Sequence, residues 1–247
     1  MNNKSLFNGI AIVIDDEIGK KDANINNLIQ QIEKRKMPYV PYKSLPEEDL
    51  LIHLEGISFL LFDWKLISDD LRSNGVRISD STYVDANIKF LKKLEKKIFV
   101  PVFIFTNEDE NEIVRILREN NLYHHDKPNY IFVKKKDELK GRTKLFKEIE
   151  EWARKVPSIY VLKEWEIQYR SAKNNLFHDF YNLNPLWPMI LWAAFEDDNV
   201  NMSCELGEVI TRNIHTRMEP FTFDDGILKR RGRSPDYSHS PLKKRAS

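Results

Sequence analysis

A chain of 247 residues with 41% hydrophobic and 31% charged side chains has material for a core, and its composition excludes global disorder. The formal net charge of +1 excludes nucleic-acid or membrane attraction driven by bulk electrostatics. One cysteine, Cys204, excludes an internal disulfide framework and a cysteine-based zinc site, and fits a reducing, cytoplasmic compartment.

The first apolar run, Gly9 to Ile14, ends at once in Asp15-Asp16-Glu17, so it reads as a buried strand and not as a signal peptide. Ile25, Leu28, Ile29 and Ile32 then repeat with helical spacing. Met37 to Tyr42 carries two prolines and suits only a sheet edge. A short helix through Leu50, Leu51 and Leu54 follows. Ile57 to Phe62 is a nearly unbroken apolar run that reads as a strand buried on both faces, and Asp63 ends it. A polar insertion, roughly Ile67 to Tyr83, separates it from a helix through Val84, Ile88, Leu91 and Leu94. Ile98 to Phe105 is another buried strand, closed by Thr106-Asn107, with a helix through Ile113, Ile116 and Leu117 after it. Tyr130 to Val133 is the last strand, closed by Lys134, and a helix through Leu145, Phe146, Ile149, Trp152 and Ala153 completes the region.

Strand and helix alternate five times. This order predicts a doubly wound α/β fold, with a five-stranded parallel sheet covered on both faces. Beyond Val156 the strand signal stops. Residues 157–220 read as a helical extension of two or three helices, without a recognisable helix-turn-helix. Its Trp165/Tyr169/Phe180 stripe reads as helix packing or a partner face. Leu186 to Phe195 is the longest late apolar run and about half of a membrane span. Residues 221–247 are basic and rich in Ser-Pro, which predicts a disordered tail. The domains expected are therefore 1–156, 157–220 and 221–247.

In a doubly wound sheet the carboxyl ends of the strands share one rim, where ligands bind. That rim gathers Asp15, Asp16, Asp63, Thr106 and Lys134. Crowded carboxylates repel unless a cation neutralises them or one takes a proton. An all-oxygen, carboxylate-rich set suits Mg²⁺ and a phosphoryl oxygen, and a lysine and a hydroxyl add a charge and a hydrogen bond. Taken singly, each residue has a plainer reading. Asp15-Asp16 and Thr106 suit helix caps, Asp63 a strand-end turn, and Lys134 a solvated lysine run. The six histidines show no ligand spacing beyond the pair His124-His125, read as solvated.

Residues about 7–155 resemble the receiver domain of two-component response regulators, a flavodoxin-like fold. The resemblance rests on VIDDE after the first strand, LLFDWKL at the third, VFIFTN at the fourth and IFVKK at the fifth. It implies that Asp63 accepts a phosphoryl group from a sensor histidine kinase or phosphotransfer protein. It implies Mg²⁺ held by Asp15, Asp16, Asp63 and the backbone carbonyl of Lys65. It implies Thr106 as the switch hydroxyl and Lys134 as the charge partner. Enzymatic activity is then at most self-phosphotransfer and autodephosphorylation.

The chain departs from the family pattern in several places. Lys135 stands where proline usually follows the lysine, and Ile131 where an aromatic usually precedes it. The insertion after Asp63 and the spacing from Thr106 to Lys134 are long. The chain is similar to divergent receivers associated with bacterial conflict systems. The leading expectation is a phosphoryl-accepting signalling protein whose output is a downstream protein partner or a homodimer through 157–220. The alternatives are a phosphorylation-independent pseudo-receiver scaffold and a nucleic-acid-binding regulator acting through the basic tail. A Mg²⁺-dependent phosphohydrolase is disfavoured, because Lys65 occupies the place of its acid/base aspartate.

Overall fold

Short β-forming runs flanked by amphipathic segments give a parallel sheet in the computed structural model, which describes residues 5–21, 23–54, 56–66, 80–124, 129–139, 144–218 and 225–228. The strands are β1 (Ala11–Ile14), β2 (Tyr39–Tyr42), β3 (Phe59–Phe62), β4 (Val102–Thr106) and β5 (Ile131–Lys135). All pairings are parallel, in the order β2-β1-β3-β4-β5. This is the doubly wound α/β order 2-1-3-4-5, with its topological switch beside β1. β2, which contains Pro41, pairs only with β1 and so lies at an edge, where a missing N–H is tolerated.

The connecting helices are α1 (Asn24–Lys34), α2 (Asp80–Lys97), α3 (Glu110–Glu119) and α4 (Lys144–Lys155), with 3-10 turns at Glu48–Leu54 and Lys136–Leu139. Strand alternation divides the core. Ile12, Ile14, Leu60, Phe62, Val102, Ile104, Ile131 and Val133 face Leu91 and Leu94 of α2 and Ile113 and Leu117 of α3. The opposite face is aromatic. Phe59 meets Phe7 and Phe146 edge-on, and Phe103 meets Trp152 at 5.2 Å between centroids. α1 lies beside α4, tied by Arg35–Glu150 at 2.7 Å and by Leu145 N–H donating to Gln31 at 2.9 Å.

The polar insertion lies outside the described residues for 67–79. Its last residues, 80–83, already belong to α2, so that helix starts earlier than its apolar spacing suggests.

The chain divides into two compact units, Met1–Arg170 and Ser171–Ser247. The expected boundary at 156/157 is where α5 (Pro157–Leu183) begins, but the first unit continues along that helix to Arg170. The cause is packing. Ile159 and Tyr160 are buried, and the Lys163 ammonium donates to the Ser58 carbonyl at 3.0 Å, below β3. Burial pushes the Lys163 pKa down, against the Glu166 carboxylate 2.6 Å away.

The second unit holds the rest of α5, then α6 (Trp187–Asp197), α7 (Met202–Arg217) and α8 (Asp225–Leu228). Its buried cluster is small: Ala172, Leu176 and Ile214, with Phe180, Ile210 and Met218 against it. Part of the tail expected to be disordered is helical, since residues 225–228 form α8 with Ile227 buried. Residues 229–247 lie outside the described residues.

Candidate phosphoryl and metal site

The register of the sheet places the acids. Ile14 of β1 is level with Phe62 of β3, so the next residues, Asp15 and Asp63, emerge side by side. The backbone confirms the alignment: Asp63 N–H donates to the Ile14 carbonyl at 2.8 Å, and Asp15 N–H to the Tyr42 carbonyl at 2.9 Å. Asp15, Asp16 and Asp63 are all buried, and each offers a carboxylate oxygen within 4.8 Å of the others. Neither acid of the pair caps a helix. Asp15 accepts from Glu17 N–H at 2.8 Å, and α1 begins later, at Asn24. Lys20 lies 3.6 Å from Asp16.

Thr106 ends β4 and is fully buried at the same rim. Its hydroxyl accepts from Glu108 N–H at 3.1 Å, while the N-cap of α3 is Asp109, accepting from Asn111 N–H. Thr106 is therefore not the helix cap that its sequence context allows. The Lys65 side chain pairs with Glu108 at 3.3 Å, and its backbone N–H supports the Asp63 carboxylate.

The charge partner expected at Lys134 is corrected by the geometry. Lys134 pairs with Glu138 at 2.8 Å and Glu148 at 3.7 Å, away from the acids. Lys136 occupies the site instead. Its ammonium donates to Asp15 at 2.7 Å and lies 2.9 Å from Asp63, with 3% of its side chain exposed. The end of the strand explains the exchange. Ile131 and Val133 point to one face of the sheet, so Phe132 and Lys134 point to the other, towards α4. The strand also runs two residues past its apolar part, and the 3-10 turn that begins at Lys136 swings this side chain over the rim. Asp137-Glu138 is the signal in the sequence that could have marked that turn, since acids favour the first turn of a helix.

The electrostatics follow from burial. Desolvation pushes the Asp63 pKa up to about 7; Asp15 adds to the rise, and Lys136 with the Lys65 N–H opposes it. Burial disfavours the Lys136 charge, but Asp63 and Asp15 outweigh it and hold its pKa above the ordinary lysine value. Three carboxylates against the buried Lys136 ammonium and the more exposed Lys20 ammonium still leave an excess of negative charge among hard oxygen donors. That donor set fits a small divalent ion. Asp15, Asp16 and Asp63, each with a carboxylate oxygen within 4.8 Å of the others, are the residues that would hold it.

No family model matches the chain, and no curated protein matches it. Among solved structures it is similar to full-length FixJ from B. japonicum, with 16% identity over 87% of this chain and 91% of that one, at a TM-score of 0.35. It is also similar to a fusion carrying yeast Spc42 trimeric coiled-coil amino acids 181–211, with 13% identity over 70% of this chain and 99% of that one, at a TM-score of 0.40. Among the described residues, no helix is long and apolar enough to cross a membrane.

Proposed function

We propose that this chain is a cytoplasmic receiver that accepts a phosphoryl group on Asp63 from a histidine kinase or phosphotransfer protein. The observation that carries the reading is the convergence of Asp15, Asp16 and Asp63 within 4.8 Å, with the Lys136 ammonium between Asp15 and Asp63, at the switch-point rim of a 2-1-3-4-5 sheet. Asp63 is the acceptor because it stands alone at the end of the central strand β3, between the acidic pair and Thr106. In the transfer, the P–N bond of the donor phosphohistidine breaks as a P–O bond forms to an Asp63 carboxylate oxygen. The departing imidazole nitrogen takes a proton. Asp15, Asp16, Asp63 and the Lys65 carbonyl would hold Mg²⁺, and the ion would supply positive charge against the phosphoryl oxygens. Lys136 follows the new phosphoryl oxygens, and the Thr106 hydroxyl donates to one of them. The added charge biases the rim between two arrangements, and the output is a protein–protein contact.

A second reading, a receiver fold that signals without phosphate, draws on one observation. Val133, not an aromatic, stands three residues before the site lysine Lys136, so the threonine–aromatic relay lacks its aromatic. Intact-mass measurement after incubation with acetyl phosphate and Mg²⁺ separates the two. Wild type is expected to gain one phosphoryl group, and Asp63→Asn or wild type in EDTA none. A wild type that stays unmodified removes the phosphoryl reading. Partner binding indifferent to Asp63→Asn then favours the second.

A further inference from the structure

The second unit carries more apolar surface than its own core uses. α6 reads WPMILWAAFED, and none of its eleven residues is buried. A helix apolar on most sides normally lies inside a larger protein. Phe177, Tyr181, Leu183, Leu186, Met189 and Trp192 are each 53–78% exposed, against three buried apolar residues in the unit's cluster. With 150–250 Å² for each aromatic and somewhat less for Leu or Met, these six leave roughly 700 Å² of side chain open to water. A standard interface takes about 800 Å² from each partner.

We propose that the end of α5 and α6 form an isologous dimer interface, covered by the same surface of a second copy of this chain. Summed over the end of α5, the turn after it and α6, the exposed area is close to what one side of a stable dimer contributes. Charge points the same way. From Asn184 to Phe195 there is no ionisable side chain, so a two-fold axis can set the segment against itself without like-charge repulsion. The α6 end is acidic, with Glu196, Asp197 and Asp198. An anionic lipid surface would repel that end, and α6 carries no lysine or arginine to draw it there. The association does not pass through Asp63, so it stands or falls apart from the phosphoryl chemistry.

Sedimentation velocity on the full chain between about 1 and 100 μM tests it. Wild type and Asp63→Asn are both expected to sediment as dimers at the upper end, with a melting temperature that rises with protein concentration. Met189→Glu combined with Leu183→Asp places charges at solvent-exposed positions, so far-UV circular dichroism should stay unchanged while dimer affinity falls at least tenfold. A wild type that stays monomeric at 100 μM overturns the proposal, including the case where a different protein covers the face. A folded double variant that dimerises as well as wild type overturns it too.

Discussion

Lys136→Met is expected to destabilise the metal-free protein by about 3–5 kcal/mol, the cost of leaving buried carboxylates without their cation. Asp15 and Asp63 both rest on this ammonium, and the methionine keeps only the apolar stem. Lys134→Met is expected to change stability by less than about 0.5 kcal/mol. Its partner Glu138 is exposed, and such pairs contribute little. Urea denaturation in EDTA compares the two variants directly. Millimolar Mg²⁺ should recover much of the Lys136→Met loss, because the ion supplies the missing positive charge. Equal losses for both variants would contradict the placement of Lys136.

The second large effect concerns Asp63. Its folded pKa is raised from 3.8 to about 7. Between those values the folded state binds more protons than the unfolded chain, so this group's contribution falls as pH rises through the window. Above pH 7 the full cost of a buried charged carboxylate remains. Asp63→Asn removes it. Without metal at pH 8 the variant is expected to be more stable than wild type, by about 2–4 kcal/mol at 1.4 kcal/mol per pKa unit and allowing for the partner Lys136 loses. Near pH 4 the two should converge. Chemical denaturation across pH 4–8 in EDTA reads the difference. A gap that is flat with pH would mean that Asp63 is not held in a desolvated, acid-crowded place.

The sheet was legible because its strands are nearly unbroken apolar runs. Ile12 to Ile14, Leu60 to Phe62 and Val102 to Phe105 are buried on both faces, and residues covered on both sides must be apolar throughout. The three aspartates were legible for the complementary reason, that an acid stopping such a run has to stand at the rim. The lysine was not. Lys134, Lys135 and Lys136 are chemically identical neighbours, and only the point where β5 stops and the turn after it decide which one enters the site. The helices of the second unit were visible in their spacing. Their burial was not, since Trp187 to Phe195 is as apolar as a core helix and yet lies open.

The most direct test of a divalent-ion seat at this rim is anomalous diffraction from crystals grown with Mn²⁺ in place of Mg²⁺. One strong peak is expected among the carboxylates of Asp15, Asp16 and Asp63, with metal–oxygen distances of about 2.1 Å and the Lys136 ammonium moved aside. A rim in which Lys136 still bridges Asp15 and Asp63, with no manganese peak at millimolar ion, would contradict it.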